Sequence, residues 1–423
     1  MQLRLARWSL CLLLVIVPGA ISFWMAVSAL TFLLAAQPLV SAAPKPLYRD
    51  PVYDGAADPA VIWNPQIQRW WMFYTNRRAK VPGLSGVAWV HGTRIGIAES
   101  TDRGRTWQHV GTAEIDLPPE IGGAEPTHWA PEVFTAPDGI HHMLLTVVPG
   151  IFENWNHPRT IVHLTSRDLR KWSAPRPLKL ASDRVIDACI LRLSDGSWRL
   201  WYNNERDNKS IYFADSPDLL EWKERGKAVG DQAGEGPKVF RWRDAYWMVT
   251  DVWAGLAVYR SDDTFNWTRQ AGNLLEQPGR GADDQVKGGH PDVVVRGGRA
   301  FIFYFTHPGR RGPDVSKDTY EQRRSSIQVA ELVLENGRLT CDRDAAVEVD
   351  LGVGAESGSR SFSVGENRLP QRNLSFGPLF RKTESWTSGL DRARQVVQPV
   401  SREKPKIQAS GFWAASLRPL LSQ

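Results

Sequence analysis

Five short segments along the chain open an apolar run with an acidic group beside proline, glycine or alanine: Asp58-Pro59, Pro131-Glu132, Asp187-Ala188, Glu235-Gly236-Pro237 and Pro291-Asp292. Carboxyl groups gathered from distant positions can hydrolyse a glycosidic bond. One ionised carboxylate activates water while a protonated carboxyl on the other side of the bond protonates the leaving oxygen. Inversion at the anomeric carbon needs roughly 6.5 to 9.5 Å between them, so that water fits. A third negative charge nearby disfavours ionisation of its neighbour and can keep the acid protonated. Each residue also has a bland reading. An Asp before Pro is often only a turn residue. Asp187 lies in the apolar run Val185-Ile186 to Cys189-Ile190-Leu191, where an unpaired acid is expensive. Glu235 stands between Gly234 and Gly236, with more backbone freedom than a structural Glu requires. Packing alone does not favour like charges around one point, so a site explains the set better.

The elements that must position these acids repeat. Aromatic-rich strands are read at Trp70–Thr75, His142–Thr146, Trp198–Tyr202, Tyr246–Thr250 and Ala300–Phe305. The first four lead, after another strand, into a Ser-x-Asp turn and a Trp: Ser100-Asp102-Trp107, Ser166-Asp168-Trp172, Ser216-Asp218-Trp222 and Ser261-Asp263-Trp267. Asp and Ser bond backbone amides in such turns, and the Trp fills the space between sheets. Several strands per repeat, with almost no helical periodicity between Tyr48 and Leu351, predict an all-β, five-bladed β-propeller. Each acidic segment precedes an aromatic strand and so opens an innermost strand. Innermost strands begin near the axis, which turns distant positions into one cluster.

The run Ala57-Asp58-Pro59, His128-Trp129-Ala130-Pro131-Glu132, Ile186-Asp187-Ala188, Gly234-Glu235-Gly236-Pro237 and Gly289-His290-Pro291 resembles glycoside hydrolase family 43 over about three hundred residues. The resemblance implies an inverting glycosidase, with Asp58 as general base, Glu235 as general acid and Asp187 orienting Glu235 and raising its pKa. Ala188 stands where the family commonly has Pro, which bears on subfamily and substrate. The resemblance makes Glu132 scaffold, with Asp292 a further member of the acidic set. It places His290 near the channel, holding a water or a calcium shell; otherwise no cofactor is required. Trp residues left over from the repeats, Trp129 first and then Trp253, Trp89 and Trp155, are candidates to stack on sugar faces. Arg324, of the Arg323-Arg324 pair, is a candidate for a sugar hydroxyl or carboxylate, or else a surface ion pair. The substrate class is a glycosidic bond in plant or algal polysaccharides, with arabinofuranosides or xylosides as the default.

Composition bounds this reading. Apolar residues make up 42% and the 19 Trp outnumber the 5 Met, which suits sheet cores and sugar stacking alike. Eleven Lys/Arg against five Asp/Glu lie beyond Gly354, which accounts for the whole net charge of +6. The body is therefore nearly neutral, and no nucleic-acid face is indicated. Arg4 and Arg7, an apolar run to Leu39 and small residues before Pro44 make residues 1–43 an export signal or membrane anchor. The protein is accordingly expected to be secreted or periplasmic, meeting a membrane only if that segment stays uncleaved. Residues 44–351 form the propeller, and 352–423 a disordered tail. Cys189 and Cys341 are read as two small buried residues without zinc spacing. The Asp-box-like turn at Ser100–Trp107 is shared by sialidases, but no Tyr-Glu nucleophile pair accompanies it. The Asn-Asp-Pro-Asn opening of fructosidases is absent. A hydrolase of anhydrogalactose from agar fragments and a non-catalytic glycan-binding propeller are the remaining alternatives.

Overall fold

The computed structural model describes residues 41–312 and 319–354; most of residues 1–43, read above as an export signal or membrane anchor, and nearly all of the tail lie outside them. The described chain forms five antiparallel sheets, each built in sequence order from the axis outward. Blade 1 comprises β1 (Ala56–Asn64), β2 (Arg69–Asn76), β3 (Arg94–Ser100) and β4 (Gln108–Thr112). The short β5 (Glu114–Ile115) crosses over to pair in parallel with the outer strand of blade 2. That blade comprises β6 (Thr127–Thr135), β7 (His141–Val148), β8 (Thr160–Ser166) and β9 (Lys171–Pro177). Blade 3 holds β10 (Val185–Arg192), β11 (Trp198–Asn204), β12 (Ser210–Ser216) and β13 (Lys223–Val229). Blade 4 holds β14 (Glu235–Trp242), β15 (Ala245–Asp251), β16 (Leu256–Ser261) and β17 (Thr268–Leu274). Blade 5 holds β18 (Gly289–Arg296), β19 (Arg299–Thr306), β20 (Ser326–Glu335) and β21 (Arg338–Cys341). This is the predicted five-bladed propeller.

The aromatic second strands supply the packing between blades. Phe73, Trp201, Trp247 and Phe303 are buried, and each such side chain contributes about 1.5–3 kcal/mol on leaving water. The Ser-x-Asp turns aim their Trp at the preceding blade. Trp107 packs edge-on against Phe303 of blade 5, Trp172 against Phe73 of blade 1, and Trp267 against Trp201 of blade 3. The turn chemistry repeats as well: Asp168 Oδ1 accepts from the amides of Arg170 and Lys171, and Asp263 Oδ1 from those of Phe265 and Asn266.

Both ends of the described chain seal the junction of blades 5 and 1. Tyr48 exchanges backbone hydrogen bonds with Ile327 of β20, and the amide of Leu351 bonds the carbonyl of Arg103. Leu47, Tyr48, Val347, Val349 and Leu351 join one apolar cluster with Met72 and Phe301. Of the two cysteines among the described residues, Cys189 is buried as expected, whereas Cys341 is only partly covered; neither is in a disulfide.

Candidate active site

All five innermost strands carry the same irregularity. The register with the second strand slips between Ala57 and Ala60, Trp129 and Glu132, Ile186 and Cys189, Glu235 and Lys238, and Gly289 and Asp292. The first residue of each bulge has positive φ: Asp58 52°, Ala130 42°, Asp187 59°, Gly236 56° and His290 23°. Non-glycine residues rarely adopt this conformation, and bulges that impose it serve to re-aim side chains. Proline or alanine follows at each position, and proline cannot donate to a ladder.

This register corrects the expectation that the five acids occupy equivalent places. Only Asp58 and Asp187 share the bulge position, with Ala130, Gly236 and His290 completing that tier. Glu235 lies one residue earlier, opposite Asp251, in the tier that Trp129 occupies opposite Thr146. Glu132 and Asp292 lie two residues beyond the bulge, in the tier of Ala60, Cys189 and Lys238.

The bulge tier is held from neighbouring blades. Thr75 Oγ1 accepts from the amide of Ala130 at 2.8 Å, Thr146 Oγ1 from Asp187 at 3.0 Å, and Asp251 Oδ2 from His290 at 3.0 Å. Gly236 donates its amide to Asp187 Oδ2 at 3.0 Å, which ties the backbone beside Glu235 to that carboxyl. A Cβ on Gly236 would lie 2.7 Å from the His290 ring, so glycine is needed for this approach.

Asp58 and Asp187 are both buried but differ in partners. Arg77 donates from one nitrogen to both oxygens of Asp58, at 3.0 and 3.2 Å, and to His307 at 3.0 Å from the other. His290 Nδ1 stands 3.6 Å from Asp58 Oδ1 and 3.9 Å from Asp187 Oδ2. Burial works to raise the Asp58 carboxyl, but Arg77 and His290 outweigh it and hold the group below its ordinary value. Asp187 lacks a guanidinium. Burial first, then the charges of Glu235 and Asp58, push it up to about 7 against the pull of His290. Asp251 rises to about 6 through burial and Glu235. Burial disfavours a charged His290, yet the surrounding carboxyls, Asp58 and Asp187 foremost, raise it.

Glu235 is the partly open member, its side chain 27% exposed. Trp253 Nε1 donates to its Oε1 at 3.2 Å and Lys209 Nζ to its Oε2 at 3.2 Å. Beneath this tier, Lys238 reaches Glu132 at 2.8 and 3.1 Å and Asp292 at 2.8 Å. Asp292 Oδ2 also accepts from the amide of Val61, and Glu132 Oε1 from that of Ile190. One buried ion triad therefore joins all five innermost strands.

The remaining candidates divide. Trp129, half-buried, donates its indole N–H to the carbonyl of Val90 and lies under Arg159, 6.0 Å from Trp155. Trp155 and Trp253 are exposed by 50% and 39%. Trp89 is buried against His307 and Arg310, so it has no open ring face to offer a sugar. Arg324 is committed to ion pairs: its guanidinium bonds both oxygens of Asp283 and one oxygen of Glu321. Around His290 the nearest acceptors are already engaged, and no three His, Cys, Asp or Glu side chains among the described residues are arranged to hold a metal. Calcium takes six to eight oxygens, which this ion-paired imidazole does not assemble. Arg77, Lys209, Lys238 and Asp251 escaped the sequence reading. The polar residues ending the second strands, Thr75, Thr146 and Asp251, were the signal that could have found the last of them.

Residues 48–331 match the model of the family described as Glycosyl hydrolases family 43. No curated protein matches the chain. Among solved structures it is similar to a thermostable family-43 glycoside hydrolase, with 19% identity and TM-score 0.52, covering 71% of this chain and 97% of that one. A family-43 β-xylosidase/α-arabinofuranosidase from a compost microbial metagenome, bound to xylotriose, is similar at 14% identity and TM-score 0.51, with 71% and 97% coverage. A family-43 β-1,3-galactosidase bound to galactodeoxynojirimycin is similar at 15% identity and TM-score 0.50, again covering 71% and 97%. At these identities the structures share the fold.

Proposed function

The chain belongs to glycosyl hydrolase family 43 and is an inverting glycoside hydrolase, and we propose that Asp58, Glu235 and Asp187 carry its reaction on a pentoside, an arabinofuranoside or xyloside of plant or algal polysaccharide. The observation that carries the roles is the contrast in partners at one end of the channel. Asp58 is held ionised by Arg77 and His290, as a general base must be. It takes a proton from water as the water oxygen attacks the anomeric carbon. The C–O bond to the leaving group breaks, and the proton on Glu235 passes to the departing oxygen. The cycle closes when Asp58 returns its proton to solvent and Glu235 regains one. Asp187 acts through Glu235: it accepts the amide of Gly236 at 3.0 Å and so positions the strand that carries the acid.

Trp129 and Trp155 supply stacking faces for sugar, Trp129 in the tier of Glu235 itself. Support for a pentoside is that the xylotriose-bound neighbour is a β-xylosidase/α-arabinofuranosidase; a galactoside is the competing choice, since another neighbour is a β-1,3-galactosidase. Residues 1–43 place the enzyme outside the cytoplasm in this proposal, on their basic and apolar pattern. The test is hydrolysis of aryl α-L-arabinofuranosides, β-xylosides, galactosides and agar oligosaccharides, with the product anomer read by NMR. Turnover of a pentoside with inversion, lost in Glu235→Gln and Asp58→Asn, is the expected result. Cleavage of galactosides or agar fragments alone would reject the pentoside, and oligosaccharide cleavage surviving in Glu235→Gln would reject the acid.

A further inference from the structure

Lys209 stands where a sequence rarely places a lysine. It ends the Asn208-Lys209 turn between β11 and β12, with φ of 49° and 52° at the two residues, a mirror-image turn that favours glycine at its second position. The turn is locked against the strand that carries Glu235, since the amide of Gly234 bonds the carbonyl of Lys209 at 3.0 Å. The ammonium bonds Glu205 at 2.7 Å and Glu235 at 3.2 Å, and lies 5.3 Å from the centre of the Trp253 ring. Glu205 is in turn bonded to the buried guanidinium of Arg159. Burial opposes a charged Lys209, but the two glutamates outweigh it and keep the ammonium protonated.

A general acid delivers its proton to the glycosidic oxygen, which departs with the leaving group. Whatever touches the oxygens of Glu235 therefore borders the departing sugar and not the sugar attacked by water. Only Trp253 and Lys209 make hydrogen bonds to those oxygens among the described residues. The indole is exposed by 39% and the lysine side chain by 33%. An ammonium has three donors; Glu205 and Glu235 take two, and the third suits a hydroxyl of a sugar stacked on the indole.

We propose that Lys209 and Trp253 form the subsite for the departing sugar, so that the enzyme is built to release a saccharide leaving group from an oligosaccharide and not a simple alcohol. The inference rests on Glu235 being the acid. It places Lys209 as a specificity residue and assigns Trp253 to the leaving-group side, whereas Asp58 is held by Arg77, which itself bonds His307 and packs on Phe305.

The full chain is assayed on an oligosaccharide of the glycone it cleaves in the panel and on the glycosyl fluoride of the same glycone, whose leaving group carries no sugar. Lys209→Met is expected to lower the ratio of kcat/KM for oligosaccharide over fluoride by about tenfold or more, the range for a lost hydrogen bond to a charged group. Trp253→Ala gives the same direction, mainly through KM, and serves if the lysine variant does not fold. An equal loss on both substrates, or none, overturns the proposal, as does a panel in which only fluorides and aryl glycosides are cleaved. Glu235→Gln separates the two layers of argument: it must abolish oligosaccharide cleavage while sparing the fluoride more. If it spares both equally, the acid assignment has failed rather than the subsite.

Discussion

Two tiers of the same channel hold buried carboxyl groups two residues apart, and they resolve the cost of burial in opposite ways. In the lower tier Glu132 and Asp292 enclose Lys238, and both acids also accept a backbone amide. In the upper tier, taken with Glu235 one residue before it, the cations are unevenly shared. Arg77 serves Asp58, Lys209 serves Glu235, and Asp187 is left with one amide and an imidazole at 3.9 Å. A balanced set is structural cement, whereas an unbalanced one contains groups poised to titrate. The presence of acids in a channel is thus a weaker sign of chemistry than the way their countercharges are distributed.

The comparison breaks first at the upper tier. Asp58→Asn or Glu235→Gln is expected to cost about 10²–10⁴-fold in kcat, the usual worth of a general base or acid. Thermal stability should stay close to that of the parent in Glu235→Gln, whose carboxyl is partly open, and fall in Asp58→Asn, which leaves Arg77 and His290 without their buried carboxylate. A large fall in melting temperature with activity intact would assign these residues to the scaffold instead.

The lower tier should fail in the reverse sense. Lys238→Met leaves two carboxyls without their cation, and removal of one member of a buried ion set costs about 3–5 kcal/mol. Denaturant unfolding measures this directly. Replacing all three residues with apolar side chains of similar volume should recover most of the loss. If the single variant were as stable as the parent, the triad would not be holding the five strands together.

How far this division could be read beforehand depends on which signal is local. The Ser-x-Asp turns and aromatic second strands identify a blade from its own residues, so the propeller was legible, and Asp58, Asp187 and Glu235 stood out by type and neighbours. The tier of each acid was not. A bulge adds a residue to one strand, and a one-residue slip reverses the face of each side chain; Glu132 and Glu235 look alike in sequence yet differ by three positions from the bulge. Partners such as Arg77, Lys209 and Lys238 come from other strands or blades and have no local mark. Trp89 shows the same limit from the other side, because a loop tryptophan reads as exposed until His307 and Arg310 are found against it.

A pH dependence sharpens the comparison with a smaller effect. Asp187 has a folded value near 7 against an ordinary value of 3.8. Because the folded value is raised, its contribution to stability is fully present below about pH 4, falls as pH rises, and is lost above about 7. Wild-type stability should therefore decline across this window more steeply than that of Asp187→Asn. An identical slope in the variant would mean that another group, such as Asp251, which rises to about 6, carries the titration. Asp58, proposed as the base, has the opposite sign. Asp58 is held low, so activity should persist into acid until that carboxylate is protonated below the usual aspartate range.

The smallest effect isolates how the upper tier is aimed. Thr146 Oγ1 accepts the amide of Asp187 from the neighbouring blade, and both groups are buried. Thr146→Val keeps the shape and removes the acceptor, which leaves a buried donor unpaired at a cost of about 1–3 kcal/mol. That amide belongs to a residue with φ of 59°, a conformation its own chain does not favour, so the tether also helps to maintain the bulge. Loss of the bond should let Asp187 relax and disturb its contact with the amide of Gly236, and through it the acid. The expected signature is a fall in kcat larger than the change in KM, together with the modest loss of stability. A variant that loses stability with kcat unchanged would show the bulge to be held by its own strand ladder alone, with the threonine serving only to satisfy an amide.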